Sequence, residues 1–108
     1  MIVKRYDIYL ANLDPTIGSE IRKTRPVVIV SDDMMNKYLE TVVACPLTTK
    51  LHSAWRSRIQ TTCQGEDAEI AVDQIRALSK LRLIKKLDRL SQTDIRLLRQ
   101  LITEMYGE

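Results

Sequence analysis

A chain of 108 residues, 44% hydrophobic with no Phe and a formal charge of +3, is long enough for one domain. Two cores would each fall near the size at which burial stops offsetting chain entropy, so a single compact core is expected, built from Val, Ile, Leu, Ala and Met. No apolar run approaches the ~20 residues of a membrane span, and Met1-Ile2-Val3 meets Lys4-Arg5 at once, without a signal-peptide pattern, so a cytoplasmic protein is expected. Cys45 and Cys63 have no second ligand at metal-binding spacing; they read as reduced, buried thiols.

Residues 7–13 are apolar on both faces at their centre and stop at the turn pair Asp14-Pro15, the pattern of a buried strand. Residues 16–24, a long polar connection containing Gly18, form a candidate site loop. Residues 25–31 make a second strand, with Pro26 biasing Arg25 toward an extended conformation at its mouth. Asp32-Asp33 can cap a short helical turn through Met34, Met35 and Tyr38. Residues 41–47 form a third strand in which Pro46 points to an edge or a bulge, and Thr48-Thr49 follow it directly.

Residues 55–63 alternate, with Trp55, Ser57, Ile59, Thr61 and Cys63 on one face and Arg56, Arg58, Gln60 and Thr62 on a wet, basic one. After a turn at 64–67, residues 70–78 read as a fifth strand and 81–87 as a shorter sixth. Ser91 and Asp94 form a capping box, Leu90 and Ile95 a hydrophobic staple, and Ile95, Leu98, Leu101, Ile102 and Met105 share one face. A helix over 92–105 with Gly107 at its stop follows. Five or six short strands and one closing helix predict a mainly β, partly closed small barrel with α.

Charge is concentrated: between Arg76 and Arg99 stand eight Lys or Arg and two acids, and residues 50–64 carry Lys50, Arg56 and Arg58 without a carboxylate. Such patches favour polyanions. The single His52 lies in a polar loop, so histidine acid–base chemistry is not expected. Strand ends offer Glu20, Arg22, Lys23, Arg25, Thr48, Thr49, Asp73, Gln74 and Arg76 instead. Cleavage of RNA by its own 2′-hydroxyl needs a proton acceptor and donors for an anionic transition state, and carboxylates, guanidinium forks and hydroxyls supply these without a metal. Asp73, a carboxylate in an otherwise apolar stretch, must be paired or face a cleft, with Arg76 or Arg25 as the expected partner.

Four segments, Asp14-Pro15-Thr16-Ile17-Gly18-Ser19-Glu20, Thr24-Arg25-Pro26-Val27-Val28-Ile29, Cys45-Pro46-Leu47-Thr48-Thr49 and Val72-Asp73-Gln74-Ile75-Arg76, in this order and spacing, resemble the MazF/PemK-type endoribonuclease toxins. The resemblance implies a homodimer of SH3-like barrels, each closed by a C-terminal helix, that cleaves single-stranded RNA at short sequences without metal or cofactor. The products would be 2′,3′-cyclic phosphate and 5′-hydroxyl ends, and a cognate antitoxin would be the inhibitor.

By match, the family's active-site arginine falls on Arg25, its acidic loop residue on Glu20 and its post-strand hydroxyl on Thr48, while Asp73 meets an acidic position used by some members. RNA contacts are expected from Ser19, Arg22, Lys23, Thr49, Lys50, Arg56, Arg58, Gln74 and Arg76. The chain departs from many relatives at Ile21-Arg22-Lys23-Thr24, where Gln and Gly are usual, and has Ala71 where some use an arginine. Two other classes stand beside this reading: a non-enzymatic barrel that binds a protein such as DNA gyrase, and a non-catalytic RNA-binding module.

Overall fold

In the first three strands successive residues go to opposite sides, and both sides are buried. Ile8 of β1 (Asp7–Asn12), Val28 of β2 (Thr24–Ile29) and Cys45 and Leu47 of β3 (Thr41–Thr48) enter one apolar cluster, whereas Tyr9, Ala11, Val27, Ile29, Val42 and Ala44 enter a second. A strand covered on both faces has no reason to alternate with polar residues, which explains the continuous apolar runs. Instead of a single core, two clusters sandwich the sheet.

The computed structural model describes residues 1–107; Glu108, the last residue of the expected domain, lies outside the described residues. After β3 come β4 (Arg58–Cys63), β5 (Glu66–Ala71), β6 (Arg76–Ser79) and β7 (Leu83–Arg89), with a short helix α1 (Asp33–Tyr38) before β3 and a long one, α2 (Gln92–Tyr106), after β7. All pairings are antiparallel, in the order β4-β5-β3-β2-β1-β7, with β6 also on β3.

On its flank away from β2, β3 carries two partners in succession, β6 along Thr41 to Ala44 and β5 along Leu47 and Thr48. This handover curls the sheet into a half-barrel. Pro46 therefore lies in a central strand and not at an edge; between the two pairings its missing N–H costs no ladder bond on that flank.

Helix α2 closes the barrel as its sequence predicts. The Ser91 side chain accepts the Asp94 N–H at 3.2 Å, Ile95 and Leu98 are buried, and Leu101 and Ile102 pack against the same cluster. The Asp94 carboxylate also accepts the Thr61 hydroxyl at 2.6 Å, fastening the helix start to β4. On the other side of the opening, Asp88 at the end of β7 accepts the Gln64 N–H at 2.9 Å. That bond and the Arg89 N–H hold its carboxyl below the ordinary 3.8.

Several expectations are corrected. All four methionines are exposed, from 36% at Met105 to 75% at Met1; the β-branched and leucine side chains fill both clusters without them. Residues 70–78 are two strands separated by a 3₁₀ turn, Val72–Gln74, so Asp73 sits on a turn and not in a strand. The break occurs where the neighbours of β3 change. Trp55 precedes β4, and Thr48 is the last residue of β3. The predicted sixth strand begins with a 3₁₀ turn, Lys80–Arg82, before β7.

Candidate functional site

The C-terminal end of β3, the connection to β4 and the Val72–Gln74 turn surround an open cleft of about 510 Å³. Thr48, Lys50, Arg58, Asp73, Gln74 and Ser19 line it, together with Ile21, His52 and Trp55. A smaller cleft of about 170 Å³ adjoins it, lined by Glu20, Pro46, Ile75 and Arg76 and sharing Ile21, Asp73 and Gln74.

Thr48 closes a tight turn in which its hydroxyl oxygen accepts the Lys50 N–H at 3.1 Å, leaving the hydroxyl proton free to donate. The β2–β3 register pairs Val27 with Pro46. Arg25 stands two residues before Val27 on β2, and Thr48 two residues after Pro46 on β3. Arg25 is half-buried and its Nε donates to the Arg22 carbonyl at 3.3 Å. Arg25 lines neither cleft.

Asp73 is paired, but with Arg58 and not with Arg76 or Arg25: Arg58 Nε lies 2.9 Å from its Oδ1. The wet basic face expected for β4 is thus corrected at Arg58, whose side chain is only 6% exposed and also lies 3.8 Å from Glu69. One guanidinium shared between two carboxylates orients both and is not a free phosphate contact. Asp73, a third exposed, keeps part of its carboxylate toward the cleft. Tyr106 at the end of α2 donates to the Val72 carbonyl at 2.9 Å, so the closing helix also holds the turn that carries Asp73.

The β1–β2 loop is folded by its own side chains. Glu20 Oε1 accepts the Ile17 N–H at 2.8 Å, Arg22 donates to the Gly18 carbonyl at 2.7 Å, and the Lys23 N–H reaches Asp14 at 3.0 Å. Lys23 takes a φ of 70°, the left-handed conformation that a glycine adopts at no steric cost. Gln74, expected as an RNA contact, uses its carbonyl oxygen to accept the Ile21 N–H at 2.7 Å and so ties this loop to the Asp73 turn. Thr49 and Lys50 are exposed, and Arg56, almost fully solvated, approaches Glu104 of α2 at 4.0 Å. Arg76 stands in β6 opposite Ala44.

Three residues of the cleft region were not singled out as site residues in the sequence. Glu69 is completely buried; its carboxylate accepts the Gln60 amide at 2.9 Å and the His52 N–H. The only sequence trace is an acid between Ala68 and Ile70. His52 and Trp55 stack in parallel, their ring centroids 4.0 Å apart. The sequence alone places His52 in a polar loop and Trp55 at the start of a strand.

The half-barrel closed by a C-terminal helix, with a polar cleft at the end of its central strand, defines a class of small antiparallel β folds. MazF from Deinococcus radiodurans superposes with a TM-score of 0.86 at 18% identity, over 100% of this chain and 99% of that one. A mycobacterial endoribonuclease solved with its cognate antitoxin gives 0.79 at 20% identity, over 98% and 94%. The Mycobacterium tuberculosis toxin MazF-mt6 gives 0.76 at 19%, over 91% and 93%. The chain belongs to the PemK-like, MazF-like toxins of type II toxin–antitoxin systems, whose sequence profile matches residues 4–106. Toxins of this family are generally endoribonucleases. Among the described residues, no helix is long and apolar enough to cross a membrane.

Proposed function

We propose that this chain is a sequence-specific endoribonuclease that cuts single-stranded RNA without a metal, through attack of the substrate's own 2′-hydroxyl. The observation that carries the reading is the meeting of Thr48 and Asp73 in one open cleft, with Arg25 on β2, the strand that pairs with β3. Asp73, oriented by Arg58, accepts the 2′-proton. The 2′-oxygen bonds to phosphorus as the bond to the 5′-oxygen breaks, and the departing 5′-oxygen takes a proton from water, leaving a 2′,3′-cyclic phosphate and a 5′-hydroxyl. The Thr48 hydroxyl and the Arg25 fork donate to the charge that builds on the phosphoryl group. Because the substrate carries its own nucleophile, no metal-bound water is required.

Glu20 is the second candidate acceptor. One of its oxygens already receives the Ile17 N–H, which favours Asp73. Exposed Arg22, Lys23 and Arg56 add attraction for the RNA backbone. The protein works in the cytoplasm as a homodimer, restrained by an acidic antitoxin that occupies the same clefts, its carboxylates standing where phosphates would. Solved relatives include toxins bound to their antitoxins, which supports this partner.

The test is cleavage of single-stranded RNA in EDTA, followed by the same substrate carrying a 2′-deoxy sugar at the cut. Cutting of the first and not the second is expected; undiminished cutting of the deoxy substrate overturns the mechanism. A saturating antitoxin peptide should also displace labelled RNA, and a stable ternary complex would move inhibition to another surface.

A further inference from the structure

The aromatic pair at the larger cleft takes no part in the chemistry above. His52 and Trp55 stack with an interplanar angle of 8°, and the Arg58 guanidinium carbon lies 4.7 Å from the indole centroid. The three residues follow one another at every third position. Each main chain is tied to the next: the Trp55 N–H donates to the His52 carbonyl at 2.9 Å and the Arg58 N–H to the Trp55 carbonyl at 3.3 Å.

This ladder is anchored at both ends. The His52 N–H is held by buried Glu69 at 2.8 Å, and the Arg58 side chain is fixed between Glu69 and Asp73. Yet Trp55 remains 48% exposed. Leaving so large an apolar ring in water forfeits burial that a folded chain ordinarily takes. A rigid, half-wet aromatic stack beside Thr48 and Lys50 matches a ligand that carries a flat ring and an anion together, as a nucleotide does.

We infer that the His52–Trp55 pair is a stacking platform for one unpaired base of the RNA, next to the phosphate that Thr48 and Asp73 address. The inference rests on the ribonuclease reading and extends it to a base-binding subsite. In a duplex both faces of a base are covered by its neighbours, so a platform of this kind admits single strands and rejects paired ones. Stacking reads a π-face more than a hydrogen-bonding edge, so the subsite adds affinity and geometry, and tolerates more than one base.

Trp55 is the single tryptophan of the chain, so its emission reports this site alone. Wild-type protein is titrated with a single-stranded 2′-O-methyl RNA of mixed sequence, which has no free 2′-hydroxyl to attack. A second titration uses an abasic ribose-phosphate oligomer of equal length, with binding followed independently by anisotropy. The base-bearing strand should quench the indole on binding and the abasic strand should not. Trp55→Ala should weaken the base-bearing strand by roughly 5- to 150-fold, the value of one stacked base, and leave the abasic strand unchanged, while Trp55→Phe recovers much of the loss.

RNA bound with unchanged emission, or with equal affinity for Trp55→Ala, overturns the platform while the cleavage reading stands. Failure of both strands to bind overturns both. Quenching by an acidic, apolar peptide but not by RNA assigns the pair to a protein partner and overturns the proposal. The fluorescence titration is made on unsubstituted protein, so it decides the matter even if a Trp55 variant folds poorly.

Discussion

The Glu69 carboxylate accepts the main-chain N–H of His52 on both oxygens, each at 2.8 Å, across seventeen residues of sequence. With Gln60 and Arg58 as its other partners, this fully buried acid is the post around which the β3–β4 connection is wound. Glu69→Ala leaves the His52 N–H and the Gln60 amide without their acceptor and takes one of two carboxylates from the buried Arg58 side chain. Breaking such a buried pair costs about 3 kcal/mol, or roughly 13 °C in Tm for a chain of this size. Thermal melts check the loss, and limited proteolysis should show the first new cuts between residues 49 and 57.

Arg25→Ala is expected to abolish nearly all RNA cleavage while leaving Tm close to wild type, since among the described residues its side chain makes one long, exposed bond, to the Arg22 carbonyl. Arg25→Lys should also be poor, because a point charge lacks the two-pronged fork. Thr48→Ala removes one transition-state donor and should lower kcat by on the order of 10²- to 10³-fold. Single-turnover rates beside melting curves measure both; near-wild-type turnover in Arg25→Ala moves the site elsewhere.

An acceptor works only when ionised, so the cleavage rate falls on the acid side as the acceptor takes up its proton. Rates from pH 4 to pH 9 for wild type, Asp73→Asn and Glu20→Gln locate it. Asp73→Asn should lose both the rate and the acid limb, and Glu20→Gln should keep the limb. The reverse pattern assigns the proton to Glu20.

Burial, reinforced by the charge of Asp73, pushes the Cys45 thiol up to about 12 from an ordinary 9.0. A group whose folded value is raised gives stability that is complete below its unfolded value and is lost as pH climbs toward the folded one. Stability should therefore fall between about pH 9 and pH 12 as the unfolded chain ionises and the folded one does not. In Cys45→Ala that slope should be shallower, read from urea midpoints across the range. At pH 8 native Cys45 should resist iodoacetamide and react once unfolded.

The elements most legible in the sequence were those whose signal is local. Helix α2 announces itself through Ser91, Asp94 and the Ile95–Leu98 face, because a cap and an amphipathic stripe lie within a few residues of one another. The doubly buried strands announce themselves through unbroken apolar runs. Arg25 and Thr48 stand out only through the resemblance of four segments taken together, not through a pattern of their own.

What tertiary structure decided is everything that depends on which strand neighbours which. Pro46 looked like an edge signal until β3 proved to pass from β6 to β5 around it. Arg58 read as a solvated base on the alternation of β4, yet Asp73 and Glu69, eleven or more residues away in sequence, draw it out of water. Glu69 drew no attention in the sequence, yet it is the buried anchor of the His52–Trp55 stack. A charge in a chain has no environment until the sheet closes; its partners, and with them its role, are set by contacts that no local pattern contains.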